Sequence, residues 1–131
     1  GAGNVRVAGS NPTTFRTASP SEALTPTSAT EKLESGSKKV AVANAGTLTP
    51  TVYVRENAAY NGARARLIVK RNDAAGITAD TVLDTATAAS DEAWEALTGT
   101  TVAVTDDAVL EFVVDCDGTA GQLNVDDWSV A

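Results

Sequence analysis

Apolar side chains recur at every second position in several short runs of the chain. Val5 and Val7 alternate with Asn4, Arg6 and Ala8, and Val40 and Val42 alternate with Lys39, Ala41 and Ala43. Val52 and Val54 alternate with Thr51, Tyr53 and Arg55, while Leu110, Phe112, Val114 and Cys116 alternate with Val109, Glu111, Val113 and Asp115. A period of two sends one set of side chains into a core and the other toward water, as on a half-buried β-strand. Arg64 to Arg71 reads as a further strand around Leu67, Ile68 and Val69, and Thr100 to Thr105 as another around Val102 and Val104. Turn-forming pairs separate the runs: Asn11-Pro12, Ala45-Gly46, Asn61-Gly62, Ala75-Gly76, Asp106-Asp107 and Asp117-Gly118. The pattern predicts an all-β chain of eight to ten short strands in an antiparallel sandwich or barrel, with the β-sandwich preferred. A helix within Asp80 to Glu95 is expected to reach one turn at most, since the Ala tracts lack an apolar repeat at i, i+3 and i+4.

The stretch from Ser10 to Ser37 is the least regular and holds Pro12, Pro20 and Pro26. Residues 1–37 therefore read either as a flexible arm or as a long loop with an edge strand near Glu22 to Thr25, Pro being confined to sheet edges. Residues 38–131 form the sandwich proper, one domain together with 1–37.

Parity breaks near the C-terminus. Leu123 and Val125 point inward, whereas Trp128 and Val130 have the opposite parity. One extra residue at Asp126-Asp127, a β-bulge, would return both pairs to the core face. Such a bulge aims carboxylates sideways, toward backbone amides or toward an ion.

Composition narrows the function. Of 131 residues, 43% are apolar, 21% charged and 5% aromatic, and the net charge is −7. Lys and Arg, which supply affinity for phosphate backbones, are outnumbered 17 to 10, so a nucleic-acid partner is not expected. No apolar run approaches the ~18 residues of a membrane-spanning helix. The absence of His removes the commonest general base and zinc ligand. Gly-rich phosphate loops, Gly-x-Ser-x-Gly and metalloprotease motifs are also missing. Cys116, inward-facing between Asp115 and Asp117, is a poor nucleophile because neighbouring negative charge raises a thiol pKa. No Met occurs and Gly1 to Ser10 lacks the apolar stretch of a signal peptide, which suggests a processed chain or an excised domain.

Charge is segregated along the chain. All ten Lys and Arg residues lie at or before Arg71, opposed there by Glu22, Glu31, Glu34 and Glu56, a balance of +6 (10 − 4), and the rest of the chain carries −13. Either strands of the two parts interleave and mix the signs through cross-strand pairs, or the surface is bipolar and suits contact between copies.

Carboxylates and aromatics are the remaining candidates for chemistry. Asp106-Asp107, Asp115-x-Asp117 and Asp126-Asp127 resemble turns more than a hydrolytic pair, and the calcium-loop pattern begun at Asp115 lacks its distant Glu. Sugar-binding surfaces use exposed rings flanked by polar side chains. Tyr60, beside Asn61-Gly62, is the best candidate for such exposure, while Trp94 and Phe112 read as core from their spacing with Leu97, Leu110 and Val114.

Tyr60-Asn61-Gly62, Arg66-Leu67-Ile68-Val69, Thr81-Val82-Leu83-Asp84, Trp94-x-x-Leu97, Asp117-Gly118 and Val125-Asp126-Asp127-Trp128 together resemble the jelly-roll domains of bacteriophage and prophage virion proteins. Those domains are similar in turn to the galactose-binding-like sandwiches of carbohydrate-binding modules. The resemblance implies a non-enzymatic structural module of a virion or extracellular assembly, acting through contacts with itself or other virion proteins. A carbohydrate-binding module for surface glycans is the alternative, with Tyr60 and Asn61 at the sugar. Related modules hold a structural calcium through an Asp of the last strand, where Asp126 or Asp127 stands here.

Overall fold

A computed structural model of the chain describes residues 8–11, 14, 16–17, 21–73, 76–77, 80–87, 89–99 and 102–131. Thirteen strands and no helix occur among them: β1 (Ala8–Asn11), β2 (Ser21–Leu24), β3 (Ser28–Glu34), β4 (Lys38–Ala41), β5 (Gly46–Leu48), β6 (Pro50–Glu56), β7 (Arg66–Asp73), β8 (Gly76–Ile77), β9 (Thr81–Thr85), β10 (Trp94–Thr98), β11 (Val102–Val104), β12 (Val109–Gly118) and β13 (Leu123–Val130). All pairings are antiparallel. A five-stranded sheet runs β1-β2-β13-β6-β10, and a six-stranded sheet runs β3-β12-β7-β8, with β4 also on β12 and β9 also on β7. A β5-β11 ribbon completes the fold.

The alternating residues do what their period demands. Val52, Val54, Leu97, Leu123 and Val125 of the first sheet meet Leu33, Leu67, Val69, Leu110, Phe112, Val114 and Cys116 of the second in one buried cluster, joined by Val102 and Val104 of the ribbon. Phe112 is 0% exposed at its centre. Truncating Phe112 to Ala is expected to cost about 3–5 kcal/mol through lost transfer energy and the cavity left behind. A urea midpoint shifted by less than 1 kcal/mol equivalent would show that this core is far looser than its burial says.

Several expectations change. More strands form than the eight to ten expected, in part because pieces such as β5 and β8, three and two residues long, are too short to show alternation. The described residues of the 80–95 region form β9, the start of β10 and a connecting loop, within the expected limit of one helical turn at most. The strand expected at a sheet edge near Glu22 lies inside the sheet as β2, between β1 and β13, and its sequence is free of Pro. Val5 and Val7 fall outside the described residues. The register between β13 and β6 shifts between Asp126 and Ser129, and Trp128 and Val130 pack against the core, as a bulge there requires.

Interleaving also brings the two signs of charge together. Lys32 reaches Asp117 at 2.8 Å, Arg66 reaches Asp115 at 2.6 Å, and Lys39 lies 3.7 Å from Glu111. These pairs stand on the outer face of the six-stranded sheet, around a buried Ile68-Val113 pair that lies outside the main core. Long basic side chains there cover apolar surface with their stems. Cross-strand mixing of charge therefore holds for this sheet, against a surface split into basic and acidic sides.

Candidate functional site

The outer face of the five-stranded sheet follows from the parity of β6. Val52 and Val54 point inward, so Thr51, Tyr53 and Arg55 point out and are half-buried. Across the β10 ladder Trp94 lies opposite Arg55, Ala96 opposite Tyr53 and Thr98 opposite Thr51. Across the β13 ladder Asn124 lies opposite Arg55 and Asp126 opposite Tyr53. Trp94 and Tyr53 are thus diagonal neighbours on one face, at a Cβ separation of about 7 Å or somewhat less. Trp94 is half-buried and on the outer face, a correction to the expectation that it belongs to the core. In a strand, residues three apart face opposite ways, so Leu97 in the core places Trp94 outside.

Two segments flank this face. On one side Arg16 stacks over Tyr53, its Cζ 3.5 Å from the ring centroid, a cation–π contact. The bulge anchors it: the Arg16 backbone N–H donates to Asp126 Oδ2 at 2.8 Å, Arg16 Nη1 donates to Asp127 Oδ2 at 2.8 Å, and Thr17 Oγ1 donates to Asp127 Oδ1 at 2.7 Å. Asp127 adopts φ 54°, in the left-handed region that a bulge imposes. The Thr17 hydroxyl and Arg16 hold its carboxyl below the usual carboxylate range. On the other side, the loop between β9 and β10 brings Glu92 to Arg55, whose Nε donates to the Glu92 carbonyl at 3.1 Å.

Asp126 and Asp127 do not suit the calcium ion considered for them. Asp126 Oδ1 already accepts the Asp127 N–H at 2.9 Å, and the other three oxygens hold the 16–17 segment. A guanidinium occupies the space beside them, and no cluster of three or more His, Cys, Asp or Glu able to hold a metal occurs among the described residues. The donors fit the structural bulge instead.

Tyr60 is corrected as well. It is 3% exposed, its hydroxyl donates to the Ala63 carbonyl, and burial pushes that hydroxyl well above the usual phenol range. A ring in that position offers no platform. Asn61 is exposed, but its side chain fastens two loops: Oδ1 accepts the N–H groups of Thr119 at 2.9 Å and Ala120 at 3.2 Å, and Nδ2 donates to Thr119 Oγ1 at 3.0 Å. Where Asn61-Gly62 suggests a turn, the chain bends at Gly62 and Ala63, just after a turn closed from the Tyr60 N–H to the Asn57 carbonyl, and the bend serves packing. Cys116 is fully buried, its thiol pushed up to about 12 by desolvation with added repulsion from Asp115 and Asp117, which leaves it inert.

No family model matches the sequence, and no curated protein matches it. Solved structures do. The CBM22-1 xylan-binding domain of Paenibacillus barcinonensis Xyn10C superposes with TM-score 0.69 at 16% identity, over 95% of this chain and 79% of that one. A family 16 carbohydrate-binding module superposes with TM-score 0.66 at 15% identity, over 95% and 84%. The enzymatically active domain of bacteriophage CBA120 tailspike protein 4 gives TM-score 0.70 at 7% identity, over 98% of this chain but only 18% of that one. At these identities the likeness concerns fold, and the fold is the antiparallel jelly-roll sandwich shared with carbohydrate-binding modules.

Proposed function

We propose that this domain binds glycan chains, without catalysis, across the outer face of its five-stranded sheet. The carrying observation is that Trp94 and Tyr53 are diagonal neighbours on one face, with Arg55 of β6 opposite Trp94 and Arg16 stacked on the tyrosine. Sugar C–H faces stack on aromatic rings while fixed polar groups take the hydroxyls. A sugar would meet the ring of Trp94 on one side and the guanidinium of Arg16, backed by Tyr53, on the other. The likeness in fold to a xylan-binding domain and to a family 16 module supports this reading over a purely structural one. A place in a virion or other extracellular assembly rests on the tailspike likeness alone, and attachment through the same face is the form it would take.

Isothermal titration with xylohexaose, mannohexaose and galactotriose tests the proposal. At least one should bind, and Trp94→Ala should weaken that binding tenfold or more, about 1.4 kcal/mol. Tyr60→Ala lies off the face and should act on stability alone. The absence of binding to every oligosaccharide would remove the glycan reading, and full affinity in Trp94→Ala would remove this face from it.

A further inference from the structure

Trp94 opens β10, and what precedes it is unusual. Ser90 has φ 46° and Glu92 has φ 58°, two non-glycine residues in the left-handed region within three positions. Such backbone persists only where its surroundings hold it. Here the hold comes from two consecutive residues of β6. The Ser90 N–H donates to Glu56 Oε1 at 2.9 Å, the Glu92 N–H donates to the Glu56 carbonyl at 3.0 Å, and Arg55 Nε donates to the Glu92 carbonyl. Ser90 Oγ adds a bond to the Tyr60 carbonyl.

Glu56 itself is anomalous. Its side chain points inward at the end of β6 and is 3% exposed, with Arg64 paired to Oε1 and no hydrogen-bond partner for Oε2. Burying a carboxylate with one oxygen idle is costly, and an apolar side chain would fill the space more cheaply. The oxygen that is used accepts the amide of the strained loop. We propose that Glu56 is a positioning residue, an acceptor that pins the 90–92 loop and thereby sets Trp94 and Glu92 on the outer face, beside Arg55. The inference rests on the glycan reading for its purpose, although the pinning itself can be seen without ligand.

Two variants separate acceptor from packing. Glu56→Met keeps length and volume but accepts no hydrogen bond, and Glu56→Gln keeps an oxygen where Oε1 stands. Amide hydrogen exchange of the intact chain is the first measurement. In Glu56→Met the Ser90 and Glu92 amides should exchange at least tenfold faster, while those of Val54 and Leu97 keep their protection. Glu56→Gln should leave all four within twofold of the parent. Unchanged protection of Ser90 in Glu56→Met, or equal loss in both variants, overturns the proposal. Titration with the best-binding oligosaccharide is the second measurement. Glu56→Met should lose about tenfold in affinity, and that loss should vanish in a Trp94→Ala background. A loss that persists undiminished there overturns the link to Trp94. If the parent protein binds no oligosaccharide while the exchange pattern appears as stated, the glycan reading fails and the pinning of the loop stands.

Discussion

Gly62→Ala is expected to cost about 4 kcal/mol or more, most of the stability of a domain at the low end of the ordinary range. A Cβ at this position would lie 1.7 Å from the carbonyl oxygen of Asp117 and 2.5 Å from its carbonyl carbon. Both atoms belong to the backbone of β12, which the β3 ladder holds at Cys116 and Gly118 on either side of Asp117, so the strand cannot give way without disturbing that ladder. Neither can the loop withdraw easily, because the Ala63 N–H is bonded to Asp117 Oδ1 at 2.6 Å and Asn61 is bonded to Thr119 and Ala120. Chemical denaturation of the purified variant measures the effect. A loss under 1 kcal/mol would mean that the loop and β12 do not approach as closely as described.

The second large effect concerns Arg64 and depends on pH. Arg64→Ala leaves Glu56 buried without its cation. Removing one partner of a buried pair costs about 3–5 kcal/mol, and the low end applies here because 27% of the Arg64 side chain is in water. Desolvation already raises the Glu56 pKa above 4.5, opposed by the Ser90 amide and by Arg64. A carboxyl raised in the folded state holds its proton more tightly than in the unfolded chain. Its contribution to stability is therefore fully present below 4.5 and fades as pH rises through the raised value. Without Arg64 that value climbs further. The loss of about 3 kcal/mol at pH 7 should accordingly shrink as pH falls toward 4.5 and the raised Glu56 carboxyl takes up its proton, since the neutral group needs no cation. An equal loss at both pH values, by urea titration, would show that Arg64 matters through packing alone. The parent domain has the opposite dependence at lower pH. Asp117 is held low by Lys32 and the Ala63 amide although burial pushes the other way, and Asp127 by Thr17 and Arg16. The stability these two provide is present above 3.8 and is lost as pH falls through their lowered values.

Much of this fold could be read from period and parity. Val52 to Arg55 and Leu110 to Cys116 alternated as strands must, and the parity break at Asp126-Asp127 located the bulge to the residue. β5 and β8 gave no sign because two or three residues without alternating apolar side chains display no period. The burial of Tyr60 escaped for a different reason. The turn-forming neighbours of Tyr60 point to exposure, yet a turn can fold a ring inward, and here Ala63 and the loop against β12 do so. Tyr53 and Trp94 were within reach of the same rule that found the core. Tyr53 sits between two inward valines, and Trp94 is an odd number of residues from inward Leu97, so a strand places both outside. Their adjacency could not be read, since it depends on the β6-β10 register. Glu56 gave no signal at all: at the end of an alternating strand it looks like an exposed charge.

The order of strands has a bearing on how the chain folds as it is made. β13 fills the middle of one sheet between β2 and β6, and β12 joins β3 and β4 to β7 in the other. These central strands are the last two of the thirteen to leave the ribosome. Until they emerge, the earlier strands are left as separate pieces with their pairing edges open, and neither layer can close. Folding of this domain is thus postponed to the end of its synthesis, and a nascent chain halted before Val109 should be cut readily by protease while one carried past Val130 should resist.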